Sequence, residues 1–134
     1  MIGLHPDLLW VIREALSTQI MDFSVVEGLR TPERQAELLR KGATKTLKSK
    51  HLLQPDGYGH AADLYPSPID MAKVNAGNAA EISRFGVLAG IIKTLAKQKG
   101  ISITWGADWN NDGKTLDHSF FDAPHIEITE KKGN

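Results

Sequence analysis

The segment Gly59-His60-Ala61-Ala62-Asp63-Leu64-Tyr65-Pro66 decides how this chain is read. Ala61 to Tyr65 has the small and apolar side chains of a buried strand, and Pro66, lacking an N–H, ends it. Working upstream, residues 43–59 are a loop rich in Lys, Thr and Gly. Before it, Thr31 caps a helix that has Pro32 at its first position and Gly42 as its stop. Phe23 to Val26 is a short strand. Pro6 to about Gln19 is a helix with Leu8, Leu9, Val11, Ile12, Ala15 and Leu16 on its apolar stripe.

Downstream, a long helix runs from about Ala79 to Lys99, with Phe85, Leu88, Ile92 and Leu95 on one face and Gly100 as its stop. Gly86 and Gly90 lie inside it and weaken it, which predicts a close backbone approach there. Ile101, Ile103 and Trp105 alternate with Ser102 and Thr104 as a strand does. A polar loop, 106–121, leads to a last strand, His125 to Ile128. Helices and strands mix without strict βαβ alternation. The expected fold is α+β: a small antiparallel sheet with helices packed on one side, in a single domain spanning 1–134.

Composition narrows the chemistry. The 134 residues contain no cysteine, which excludes disulfides, thiolate metal sites and a cysteine nucleophile. Sixteen basic residues balance sixteen acidic ones, which argues against a dedicated nucleic-acid binder. A local basic run, Arg40, Lys41, Lys45, Lys48 and Lys50, reads as a solvated helix end and loop, or as attraction to an anionic polymer. The start, MIGLHPDLLW, lacks the pattern of a secretory signal, and no apolar run is long enough to span a bilayer.

Two segments carry the candidate chemistry. Asp63 sits in an apolar strand, where a carboxylate is costly to bury unless it is paired with a basic side chain or bound to a metal. His51 and His60 stand upstream of it. In Asp122-Ala123-Pro124-His125-Ile126-Glu127-Ile128, strand periodicity puts His125 and Glu127 on one face and the isoleucines on the other. Asp122 precedes the strand on a turn that Pro124 restricts. A carboxylate so held beside a histidine can serve as a general base, or can be an ordinary salt-bridged loop residue. Two His and one Asp match the ligand count of a catalytic zinc site, while the helical HExxH arrangement is absent. Separately, Asp108, Asn110 and Asp112 occupy positions 1, 3 and 5 of a loop with Gly113 at 6, the opening of an EF-hand calcium loop. Position 12 is Ser119 rather than Glu, and an ion-free Asn/Asp/Gly turn is the competing reading.

Taken in order, Glu27-Gly28-Leu29-Arg30-Thr31 with Gln35, Ser49-Lys50-His51, Gly59-x-Ala61-x-Asp63, Trp105-Gly106-Ala107-Asp108-Trp109 and Asp122-x-x-His125 resemble the M15 zinc peptidases. That family includes D,D-carboxypeptidases, dipeptidases and phage L-alanyl-D-glutamate endopeptidases. The resemblance spans about residues 22–128 and implies the fold shared by hedgehog-type and D,D-peptidase domains. It also implies that His51, Asp63 and His125 ligate zinc and that Asp122 is the catalytic carboxylate. By the same token, Arg30 polarises the scissile carbonyl or holds a substrate carboxylate, and Ser49 and Gln35 help to bind substrate. The His51–Gly59 stretch is longer than in many relatives, which makes His60 a rival ligand. His51 is preferred for its Ser-Lys-His context, and because odd strand spacing points His60 away from Asp63. Asp122, where carboxypeptidase members usually place Glu, and the Trp105–Trp109 segment point to the phage branch.

The implied function is an endolysin that cuts the L-Ala–D-Glu bond of bacterial peptidoglycan, a monomer made in the host cytoplasm and released to the wall. Calcium would be a second cofactor beside zinc. The rivals are a D,D-carboxypeptidase or D-Ala-D-Ala dipeptidase, and a non-catalytic zinc-binding module of the same fold.

Overall fold

The computed structural model describes residues 3–42, 49–108 and 122–129. Helix α1, Pro6–Ser17, starts where the His5 imidazole accepts the Asp7 N–H. Strand β1, Phe23–Glu27, leads to α2, Pro32–Arg40, whose first turn is capped by the Thr31 hydroxyl. Strand β2 is Ala61–Pro66, α3 is Met71–Asn75 and α4 is Ala79–Lys99. Helix α4 ends at Gly100, whose φ of 78° is the left-handed conformation that glycine adopts without strain. Strands β3, Ile103–Trp105, and β4, His125–Ile128, complete the described chain. The sequence reading has each of these except α3, whose five residues are too short for a periodic signal.

The four strands form one antiparallel sheet in the order β1-β2-β4-β3. β4, last in the chain, thus lies inside the sheet between β2 and β3. Leu8, Val11 and Ile12 of α1 meet Phe85, Leu88 and Ile92 of α4 in a core that also takes Leu64 of β2 and Ile126 of β4. Burial of each large apolar side chain contributes about 1.5–3 kcal/mol.

Among the described residues, the expected close approach at Gly86 and Gly90 is not there. A Cβ on Gly86 would stand 3.7 Å from the Trp105 ring, an ordinary contact, and one on Gly90 would meet nothing within 4 Å. The close approach lies at Gly106, where a Cβ would stand 2.2 Å from the Asp122 carbonyl oxygen and 2.9 Å from the His125 Cβ. Interior helix glycines lower helix propensity wherever they stand, so their positions alone did not locate a backbone contact.

Candidate metal centre

The sheet register assembles the centre. Asp63 of β2 pairs with His125 of β4 on one side and with Glu27 of β1 on the other. The β1–β2 register shifts between Val25 and Glu27, which brings Glu27 opposite Asp63. His51 arrives from the loop before β2. Its N–H is accepted by Ser49 Oγ at 3.1 Å, and its carbonyl accepts the Arg30 N–H at 2.7 Å. The ligand atoms of His51, Asp63 and His125 all lie within 4.8 Å of one another. His51 Nε2 is 3.3 Å and His125 Nδ1 3.5 Å from Asp63 Oδ1.

The outer nitrogen of each ring fixes what the inner one offers. His51 Nδ1 lies 3.0 Å from the Gly28 carbonyl oxygen, which can only accept, so Nδ1 carries the proton and donates. His125 Nε2 lies 2.8 Å from Glu127 Oε1 and by the same logic donates to it. In the neutral rings, both inner nitrogens therefore present lone pairs towards Asp63. Asp63 Oδ1 is itself buried and accepts no hydrogen bond among the described residues. Three electron-pair donors converging on one point, the two rings each backed by a fixed partner, make a place for a cation. Two imidazole nitrogens and a carboxylate oxygen are the donor set of an open zinc-type site.

The electrostatics agree. Burial opposes ionisation of Asp63, but the two imidazoles outweigh it and hold the carboxyl well below the usual carboxylate range. Burial likewise opposes charge on His125. The carboxylates of Asp63 and Glu127 outweigh that and raise the imidazolium pKa to about 9. Without a metal, a proton on His125 therefore supplies the positive charge at neutral pH.

Asp122 lies on the open side, its Oδ2 4.0 Å from His125 Nδ1 and its side chain about a third exposed. Burial, and then repulsion from Asp63, raise its pKa above the ordinary carboxylate value, against the attraction of His125, His51 and Arg30. Its backbone is pinned to Gly106 through the Asp122 N–H, and Gly106 in turn donates to the His125 carbonyl at 2.7 Å. Trp105 Nε1 donates to the Ala123 carbonyl at 2.6 Å and holds the same turn from below.

Arg30 is nearly buried. Its Nε and one terminal nitrogen donate to the two Glu27 carboxylate oxygens, each at 2.9 Å, and the other donates to Gln35 Oε1 at 2.8 Å. Three of an arginine's five N–H donors are thereby committed. Gln35, offered by the sequence as a substrate contact, is 1% exposed and meets Arg30 from within the fold. Ser49 spends its hydroxyl lone pair on the His51 backbone. His60, the rival ligand, faces away from Asp63 and joins His5 and Asp56 in a separate group. Of the candidate calcium residues, Asn110 and Asp112 lie outside the described residues. Asp108 is buried, with Lys93 Nζ 3.6 Å from its carboxylate. Sequence reasoning missed two supports, the Gly28 carbonyl and the close contact of Gly106. Glu127 was visible as the residue sharing the His125 face, without its role.

The chain resembles known proteins along nearly all its length. It is 29% identical over 129 residues to the L-alanyl-D-glutamate peptidase of Escherichia phage T5, covering 92% of this chain and 87% of that one. It is also 29% identical over 126 residues to the L-alanyl-D-glutamate peptidase of Listeria phage A118, of which it spans 37%. The crystal structure of Serratia marcescens L-Ala D-Glu endopeptidase ChiX superposes with a TM-score of 0.68 at 34% identity, over 95% of this chain and 81% of that one. The family model of the phage L-alanyl-D-glutamate peptidases matches residues 1–129, and the chain belongs to that family.

Proposed function

We propose that this chain is a zinc-dependent endopeptidase that hydrolyses the L-Ala–D-Glu bond of the peptidoglycan stem, with residues 1–134 as one catalytic domain. The observation that carries the metal assignment is the unsatisfied Asp63 Oδ1 between two imidazoles whose outer nitrogens are committed to Gly28 and Glu127. His51, Asp63 and His125 hold the ion. When bound, a divalent ion there acidifies a water molecule and polarises a carbonyl oxygen. Asp122 takes the proton from the attacking water and passes it to the departing amine. Its raised pKa suits both duties, since a base must release what it accepts. Arg30, held flat by Glu27 and Gln35, directs its remaining N–H donors to a substrate oxygen. The setting is that of an endolysin, made in the host cytoplasm and acting at the wall. Among the described residues no helix is long and apolar enough to cross a membrane.

The test is digestion of purified peptidoglycan by zinc-loaded protein. New amino-terminal D-Glu and carboxy-terminal L-Ala are expected. Release of D-Ala instead would transfer the chain to the carboxypeptidase or dipeptidase reading. No new termini from a fully zinc-loaded, folded protein would leave it a binding module.

A further inference from the structure

We infer that His5, Asp56 and His60 form a second divalent transition-metal site, weaker than the first, that fastens the start of α1 to the loop before β2. Their ligand atoms also lie within 4.8 Å of one another. His60 Nε2 is 2.7 Å and His5 Nε2 3.8 Å from the same oxygen, Asp56 Oδ2. The two rings meet edge to face with centroids 5.2 Å apart. Two imidazoles and a carboxylate again give the N/O donor set of an open site. The half-exposed Asp56 leaves its outer side to water.

The three side chains stand on fixed backbone. The His5 N–H donates to the Gly59 carbonyl at 3.0 Å, and the Gly59 N–H to the Gly3 carbonyl at 2.8 Å. The His60 N–H donates to the Lys50 carbonyl, and the His60 carbonyl accepts from Ile128. Asp56 Oδ1 accepts the Tyr58 N–H at 3.1 Å, which turns Oδ2 towards both histidines.

The proton accounting sets the rank of the two sites. His5 Nδ1 accepts the Asp7 N–H at 3.0 Å, so in the neutral ring the proton sits on Nε2, facing Asp56. His60 Nε2 likewise donates to Asp56. An ion on these nitrogens requires both rings to move a proton to Nδ1. His5 must then release the Asp7 N–H, and its new Nδ1–H can turn to the Asp7 carboxylate, now 4.0 Å away. His60 Nδ1 is buried without a partner among the described residues, so no acceptor supports its ligating tautomer. At the first centre the outer nitrogen of each ring already has an acceptor, the Gly28 carbonyl for His51 and the Glu127 carboxylate for His125. Lost outer-shell support lowers metal affinity about 10–100-fold, and the second site should be weaker by that factor.

The experiment is calorimetric titration of the metal-stripped full chain with Zn²⁺, with melting temperature followed in parallel. Two successive equivalents are expected, the second about 10–100-fold weaker, each raising the melting temperature. Asp56→Asn and His60→Gln should abolish the second equivalent and leave the first. His125→Ala should do the reverse, so that failure at either site is seen separately. A circular dichroism spectrum unchanged in Asp56→Asn secures the fold. Saturation at one equivalent, or a second equivalent that survives in both Asp56→Asn and His60→Gln, would overturn the inference.

Discussion

Two His–Asp–His groups flank the first residues of β2, and they differ less in their ligands than in what stands behind them. His51, Asp63 and His125 are backed by a carbonyl and a carboxylate that take the outer ring protons. His5 is backed by a backbone N–H, which does the opposite and keeps the ring in the wrong tautomer for an ion. Two members of the first group, Asp63 and His125, also stand on strands paired across the sheet, whereas Asp56 of the second sits half exposed on a turn. Equal ligand counts therefore do not make equal sites. The hydrogen bond on the far side of each imidazole decides which one is ready.

The largest expected effect comes from breaking the first group. His51→Ala, Asp63→Ala or His125→Ala should remove the tight metal equivalent and wall hydrolysis together, read by elemental analysis and by release of amino termini. Tight binding that persists in His51→Ala would show that the ligand set is misassigned. Next is Asp122→Asn, which should keep the metal and slow turnover by roughly two orders of magnitude or more. Near-normal turnover in the zinc-loaded variant would remove the general-base role. Glu127→Ala tests the comparison itself. Without the acceptor behind His125, the first site should lose about 10–100-fold in metal affinity and move towards the second. An unchanged dissociation constant would mean that the outer hydrogen bond does not rank the sites. Gly106→Ala forces a methyl group against the Asp122 carbonyl and should destabilise the protein by about 1–3 kcal/mol, measured by denaturant melting. Activity should fall further than the unfolded fraction explains, because Asp122 and His125 move.

The smallest effect is a proton count. His125 has a pKa raised to about 9, so below that pH an entering ion must expel its proton. Between the ordinary histidine range and pH 9, metal affinity should therefore rise with pH, by about tenfold per unit, and level off above 9. Calorimetry at pH 7 in buffers of different ionisation enthalpy should report about one proton released by the first equivalent. No release would show that His125 is neutral before the metal arrives.

Much of this was legible in the sequence because it rests on local rules. Thr31-Pro32 announces α2, Gly100 ends α4, and the alternation in Ile101–Trp105 gives a strand. Asp63 and His125 could be singled out because a carboxylate in an apolar strand needs a partner. What pairs them, the β2–β4 register, is long-range and has no local signature. The same is true of the Gly28 carbonyl, since any residue there would offer one, and only the fold brings it to His51. Gly106 resembled any loop glycine until the Asp122 turn came against it. Nothing in the sequence marked His5, whose meeting with Asp56 and His60 depends on a parallel bridge between Leu4 and Gly59.

The placement of β4 has a consequence for the order of events during synthesis. The last of the described strands is an interior one, wedged between β2 and β3. Until it emerges, β3 has no neighbour among the described strands and β2 has only β1. The segment 122–128 also delivers the proposed general base, a proposed ligand and the carboxylate behind it in one insertion. A nascent or truncated chain that stops short of it lacks the strand that joins β2 to β3 among the described residues, and with it the proposed ligand His125. Loop closure over the whole intervening chain makes that insertion a slow, late step. Assembly of the proposed metal centre is thus tied, by topology, to the insertion of β4 between β2 and β3.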